Sequence, residues 1–206
     1  MLLVGAALWP AFVASAPGHA ATGALRGIDS AKGAKTVASP CSDGATRVVD
    51  CGNGTVTDVA TGLVWLKRAD CLSQTDWKAA NQAAARLKTG DCGLTDGSSP
   101  GDWRLPTKAE WEATIAKAVG LRCIFENAPS LTNDAGTACF GHGAGSSRVG
   151  VASVGYWSGT LNDINKLSTI FPNASVVSFA DLYHGEVISI ESVISLGVWP
   201  VRVGPR

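Results

Sequence analysis

The chain has 206 residues, of which 46% are apolar and 17% charged, with 24 Gly and 9 Pro; this suits one domain with a leader, is too turn-rich for a coiled coil and too apolar for a disordered tail. Lysine plus arginine equals aspartate plus glutamate at 17 each, so no charge excess is available to hold a phosphate backbone or an anionic membrane surface, which argues against nucleic-acid partners. Seven Trp against one Met and two Tyr predict a loop-rich fold pinned by indoles, each needing a large apolar slot and a partner for its N–H.

Leu2 to Ala16 form an apolar run broken by Pro10, followed by small residues and a cleavage-type Gly18-His19-Ala20. The pattern reads as a signal peptide over 1–20; it lacks a basic residue before Arg26 and is too short to span a membrane. Residues 21–46, rich in Ala, Gly, Ser and Lys without apolar periodicity, read as a flexible linker to a folded domain over 47–206. The expected location is outside the cytoplasm, in the periplasm, at the cell surface or secreted.

The cysteines are Cys41, Cys51, Cys71, Cys92, Cys123 and Cys139. An even number in an exported chain favours disulfides. No spacing is C-x-x-C and only His142 and His184 follow the leader, so the ligand set of a zinc site is missing and no metal or cofactor is expected. Many connectivities are open; pairing neighbours as Cys41–Cys51, Cys71–Cys92 and Cys123–Cys139 gives short loops that local structure can close, and is preferred on that ground.

Along the domain, Gly54 to Asp58 and Leu63 to Leu66 are β-type runs around Val59-Ala60-Thr61-Gly62, a hairpin signal. Ser73 is expected to cap a helix over 74–88, in which Trp77, Ala80, Ala84 and Leu87 recur at helical spacing, with Gly90 just beyond. Asp91 and Asp102 fall among turn residues and are expected to form Asx turns. Thr107 with Glu110 three residues on is a capping box for a second helix to about Val119, burying Trp111, Ile115 and Val119. A long Gly/Ser/Ala loop follows, in which Gly141, Gly143 and Gly145 lack the flanking strand and helix of a phosphate-binding loop. Ser175 to Ala180, Gly185 to Ile190 and Val198 to Val203 read as three strands, the first two joined by a turn at Asp181 to His184. Two helices followed by antiparallel strands give an α+β plan.

Four strings, CGNGTVTDVATGLVWLK, CGLTDGSSPGDWRLPTKAEWE, VGYWSG and VWPVRV, stand in an order and spacing that resemble the Lcl C-terminal domain family, a bacterial exported domain named after a collagen-like adhesin; the likeness covers roughly residues 49 to 203. The resemblance implies a C-type lectin-like fold with paired terminal strands, two helices flanking small antiparallel sheets, and long loops forming a ligand face. RLPTKAEWE also resembles the start of the second helix in formylglycine-generating enzymes. Where the family commonly has YWSS, this chain has Tyr156-Trp157-Ser158-Gly159. The EPN, QPD and WND strings of calcium-dependent lectins do not occur, so calcium is not expected. Adhesins of this family are implicated in binding sulfated glycosaminoglycans, which needs a basic surface. Between Gly150 and Arg206 the charges are Lys166, Arg202 and Arg206 against Asp163, Asp181, Glu186 and Glu191, which does not favour a polyanion. Copper-dependent formylglycine-generating enzymes need a reactive cysteine pair late in the domain, and no Cys follows Cys139. No catalytic activity is therefore expected.

The signature positions Trp65, Trp103, Arg104, Thr107, Glu110, Trp157, Trp199 and Arg202 are assigned to the scaffold: indoles in the core, arginines closing ion pairs or capping carbonyls, Glu110 as a capping carboxylate. Recognition is assigned to the loops and turn between Thr160 and Glu191, with Asn162, Asp163, Asn165, Lys166, Tyr183, His184 and Glu186 as candidate contacts to a glycan or protein ligand. The competing expectation is a structural subunit of an envelope or appendage assembly, self-associating through the apolar tail from Ile188 to Val198.

Overall fold

The structure, a computed structural model, describes residues 37–124, 128–141, 145–161, 176–191 and 194–204. The expected signal peptide and the first part of the expected linker, 21–36, lie outside the described residues. In chain order the elements are β1 (Val48–Asp50), β2 (Thr55–Asp58), β3 (Leu63–Leu66), β4 (Leu72–Thr75), α1 (Trp77–Arg86), α2 (Lys108–Gly120), β5 (Gly155–Leu161), β6 (Val176–Asp181), β7 (Glu186–Glu191), β8 (Leu196–Val198) and β9 (Val201–Val203).

β1, β2 and β3 form an antiparallel meander, and β9 adds to the far edge of β3, giving the order β1-β2-β3-β9. The C-terminal strand therefore pairs with the third strand, not with the first as the expected pairing of termini would have it. Every residue of β2 and β3 is buried, because core side chains cover both faces of this hairpin. The second sheet has the order β4-β8-β5-β6-β7 and is antiparallel apart from the β5–β8 contact, where Tyr156 stands opposite Gly197. Successive side chains on a strand point to opposite faces, and this sheet accordingly serves two cores. Tyr156 and Ala180 join a large cluster with Trp65, Trp111 and Trp199, whereas Trp157 and Phe179 join Ala80, Ala84 and Leu105 on the other side.

Several sequence expectations meet corrections. α1 begins at Trp77, capped by Asp76, whose side chain accepts from the Ala79 N–H at 3.0 Å. Ser73 is in β4, where its backbone is committed to a strand, so the next short polar side chain takes over the cap. α2 is capped as expected: Thr107 Oγ1 accepts from the Glu110 N–H at 3.2 Å and Glu110 Oε2 from the Thr107 N–H at 2.7 Å. Its buried face is Trp111, Thr114, Ile115 and Ala118, while Val119 is exposed. Thr114 tolerates burial by donating its hydroxyl to the Glu110 carbonyl at 2.7 Å. Asp91 and Asp102 accept from the N–H groups of Lys88 and Ser99, three residues upstream, and thus close turns backward along the chain. The single strand expected over Val198 to Val203 is two strands in different sheets. Pro200, with no N–H for a ladder, breaks the run, and its carbonyl accepts from the Leu66 N–H at 3.1 Å.

All three neighbour disulfides form, Cys41–Cys51, Cys71–Cys92 and Cys123–Cys139. Residues 37–46, placed by composition at the end of a linker, are tied to the domain: the Ala38 N–H donates to the Asp96 carbonyl at 2.8 Å, the Ala38 carbonyl accepts from Arg202 Nη2 at 2.9 Å, and Cys41 is in its disulfide.

Four of the six described indoles find the N–H partner expected of them. Trp77, Trp111, Trp157 and Trp199 donate to the carbonyls of Ser158, Trp157, Thr75 and Leu66 at 2.7, 3.2, 2.7 and 2.7 Å. Trp65 and Trp103 do not: both N–H groups are buried without a partner among the described residues. The Trp65 ring packs in a triangle with those of Trp111 and Trp199, with centroids 5.0 and 4.8 Å away, and the Trp103 ring lies beneath the Arg202 guanidinium, whose central carbon is 5.5 Å from the ring centroid.

Candidate functional site

β6 ends at Asp181, and its carboxylate organises the turn into β7. Oδ1 accepts from the N–H groups of Tyr183 and His184 at 2.9 and 3.2 Å, and Oδ2 lies 2.6 Å from His184 Nδ1. Gly185, at φ +71°, completes the turn and donates its N–H to the Asp181 carbonyl at 2.9 Å. Burial pushes the Asp181 carboxyl upward, but the bonds from the His184 side chain and from the two backbone N–H groups outweigh it and hold the carboxyl below the usual carboxylate range. The product is a fixed platform: Tyr183 is 44% exposed, with the His184 ring edge-on to it at 4.9 Å.

Glu186 opens β7 directly opposite Asp181. One ligand-type atom from each of Asp181, His184 and Glu186 lies within 4.8 Å of the others, a spacing compatible with a cation. The Asp181–His184 hydrogen bond already accounts for the closest approach. Of the seven residues expected to contact a ligand, the turn brings together Tyr183, His184 and Glu186. Asn162, Asp163, Asn165 and Lys166 lie outside the described residues.

Trp65, Trp103, Trp157 and Trp199 are fully buried. Arg104 makes a two-pronged contact with Glu110, at 2.7 and 2.6 Å, and also donates to the Leu105 carbonyl at 3.1 Å, so one carboxylate both caps α2 and anchors the strand-like entry to it. Arg202 is buried, with Nε 3.1 Å from Asp96 Oδ2. Asp96 in turn accepts from the Ser98 N–H and hydroxyl and from the Thr89 hydroxyl.

Composition and spacing missed the partners in these pairs. Asp96 as a buried counter-ion, the Arg47–Asp58 pair at 2.9 Å and the buried Arg148 carry no local signal. Burial pulls the Arg148 guanidinium down to about 10, while the Asp58 and Asp134 carboxylates oppose that fall. Arg47 also lines an open groove of about 800 Å³ between α2 and the β2–β3 turn, together with Val59, Ala60, Ala113, Ala116 and Lys117.

Fold and site together define a disulfide-stapled α+β domain in which tryptophans and paired arginines hold the frame and a locked hairpin turn displays an aromatic ring. Residues 54–202 match the model of the Lcl C-terminal domain, and the chain belongs to that family. No curated protein and no solved structure matches the chain. Among the described residues no helix is long and apolar enough to cross a membrane, and the three disulfides fit an exported protein.

Proposed function

We propose that this chain is an exported, non-catalytic recognition domain of C-type lectin-like architecture that binds a glycan or protein ligand on another surface without calcium. The observation that carries this reading is the β6–β7 turn, where Asp181 fixes the backbone beneath an exposed Tyr183. An aromatic ring already held in place gains apolar burial on binding and gives up little conformational freedom. The balanced charge of the chain favours a neutral or weakly charged partner over a polyanion. Family membership supports the assignment to an exported adhesin-type module, and the ion pairs of Arg104 with Glu110 and of Arg202 with Asp96 support a structural role for those signature residues.

The test is a glycan and protein array screen of the purified domain, with and without a calcium chelator, followed by Tyr183→Ala and Asn162→Ala on whatever is captured. Tyr183→Ala is expected to weaken binding about tenfold or more, as loss of an interface anchor does, with an unchanged melting temperature. Unaltered binding by both variants, or binding abolished by the chelator, refutes the assignment.

A further inference from the structure

We infer that the cleft between β4, β8 and the start of β5, where Ser73 and Gln74 bulge opposite Gly197 beside Tyr156, is a binding site for a single neutral, polyhydroxylated ring, one sugar unit. The inference rests on the glycan branch of the function proposed above but on none of the residues of the Tyr183 turn, so the two fail separately.

The geometry begins with a fault in the ladder. β4 and β8 pair at Leu72 with Val198 and at Thr75 with Leu196, so two residues, Ser73 and Gln74, face the single Gly197. A bulge of this kind re-aims side chains and interrupts pairing, and bulges are concentrated next to functional sites. Here both side chains are exposed, line the cleft, and have no hydrogen-bond partner among the described residues. Gly197 is required by the wall behind them: a Cβ there would come 2.6 and 2.7 Å from Tyr156 Cδ1 and Cε1. The bare backbone leaves room for the Tyr156 ring beside β8. At the opposite rim a Cβ on Gly150 would run into the Asp70 carboxylate, so that glycine leaves Asp70 its place.

The chemistry of the lining selects the ligand. The Tyr156 hydroxyl accepts from the Ala152 N–H at 3.1 Å, which leaves its own proton to donate. Burial, and after it the nearby Asp70 charge, push the phenol upward, so it stays protonated at neutral pH. Asp70 is neutralised by Arg68, which reaches both carboxylate oxygens at 3.2 Å. The one charge in the lining is therefore a carboxylate already paired, and the other polar groups are the Ser73 hydroxyl, the Gln74 amide and, from the buried wall, the Tyr156 phenol. Each of these can donate, and the hydroxyls and amide can also accept. Ligand hydroxyls are their natural complement, while Leu72 and Val154 provide apolar contact for the C–H face of a ring. The volume, about 230 Å³, gives room for one sugar ring. Val154 also ties the cleft to the proposed binding face, since its carbonyl accepts from the Leu182 N–H at 3.3 Å, one residue before Tyr183.

The experiment is an NMR titration of the isotope-labelled domain with methyl glucoside, methyl galactoside and methyl mannoside, each in its pyranose form. At least one is expected to give saturable shifts at the amides of Ser73, Gln74, Ala152 and Gly197. Gln74→Ala should weaken that binding about tenfold and Ser73→Ala by less, in keeping with the loss of one or two hydrogen bonds, with melting temperatures unchanged because both residues are exposed. Absence of saturable shifts with all three sugars overturns the inference. So do shifts confined to Tyr183–Glu186, an outcome that would leave the proposed function standing, and unchanged affinity in a folded Gln74→Ala protein.

Discussion

The split among the buried tryptophans can be tested by replacing each with phenylalanine. Trp65, Trp103, Trp111, Trp157 and Trp199 are all at most 1% exposed, so every substitution removes a similar portion of ring from a dry, packed site. What differs is the N–H. In Trp111→Phe, Trp157→Phe and Trp199→Phe a donor bonded to a main-chain carbonyl disappears, leaving that oxygen short of a partner at about 1–3 kcal/mol. In Trp65→Phe and Trp103→Phe the group removed is a buried donor without a partner, so this penalty is absent and a desolvation cost is relieved. Phenylalanine at 103 still offers Arg202 a ring face, although a weaker one than indole. The expectation is a gap of about 1–3 kcal/mol between the two groups, above a shared packing loss. Urea unfolding followed by far-ultraviolet circular dichroism, with disulfides intact and the denaturant slope unchanged, measures it. Losses at Trp65→Phe and Trp103→Phe as large as at Trp199→Phe would refute the reasoning.

Thiol titration of unfolded, unreduced protein should find no free cysteine, and replacing Cys71 and Cys92 together by Ala, which opens a bridge of sequence separation 21, should destabilise the domain by about 3 kcal/mol in chemical denaturation; a neutral result would mean that the reduced chain is already held in that loop. For the turn, the Asp181 carboxyl is depressed in the folded state, so its contribution is complete above the usual carboxylate pKa of about 3.9 and is lost as pH falls through the folded value. The Tyr183 and His184 amide protons, followed by NMR, should keep their hydrogen-bonded shifts down to that range and lose them below it. An Asp181→Asn protein that keeps the same acid transition would show that another group governs the turn.

Much of the local architecture was legible. The hairpin around 59–62, the Thr107–Glu110 capping box and the neighbour disulfides all depend on groups within about 20 residues of one another, where turn chemistry and spacing act directly. The Asp181–His184 turn was legible for the same reason, as was the exposure of Tyr183. The cleft was not. Ser73 carries the signal of a helix cap, and nothing within its own segment announces that β8, more than 100 residues later, will draw it into a bulged strand. Asn162, Asp163, Asn165 and Lys166 remain expectations from sequence.

By itself the amino-acid sequence determined the family, the α+β class, the second helix with its cap, and which residues are apolar enough to enter a core. The tertiary structure alone decided how those residues are used. Trp199 finds its carbonyl at Leu66, 133 residues away, and Arg202 finds Asp96 across 106. It also decided that the Trp65 and Trp103 N–H groups meet no partner among the described residues, and that the run ending in VWPVRV is shared between two sheets. The physical reason is that hydrophobic burial is non-directional and follows composition and pattern. Hydrogen bonds and ion pairs are directional, and their partners exist only once distant segments have been packed together.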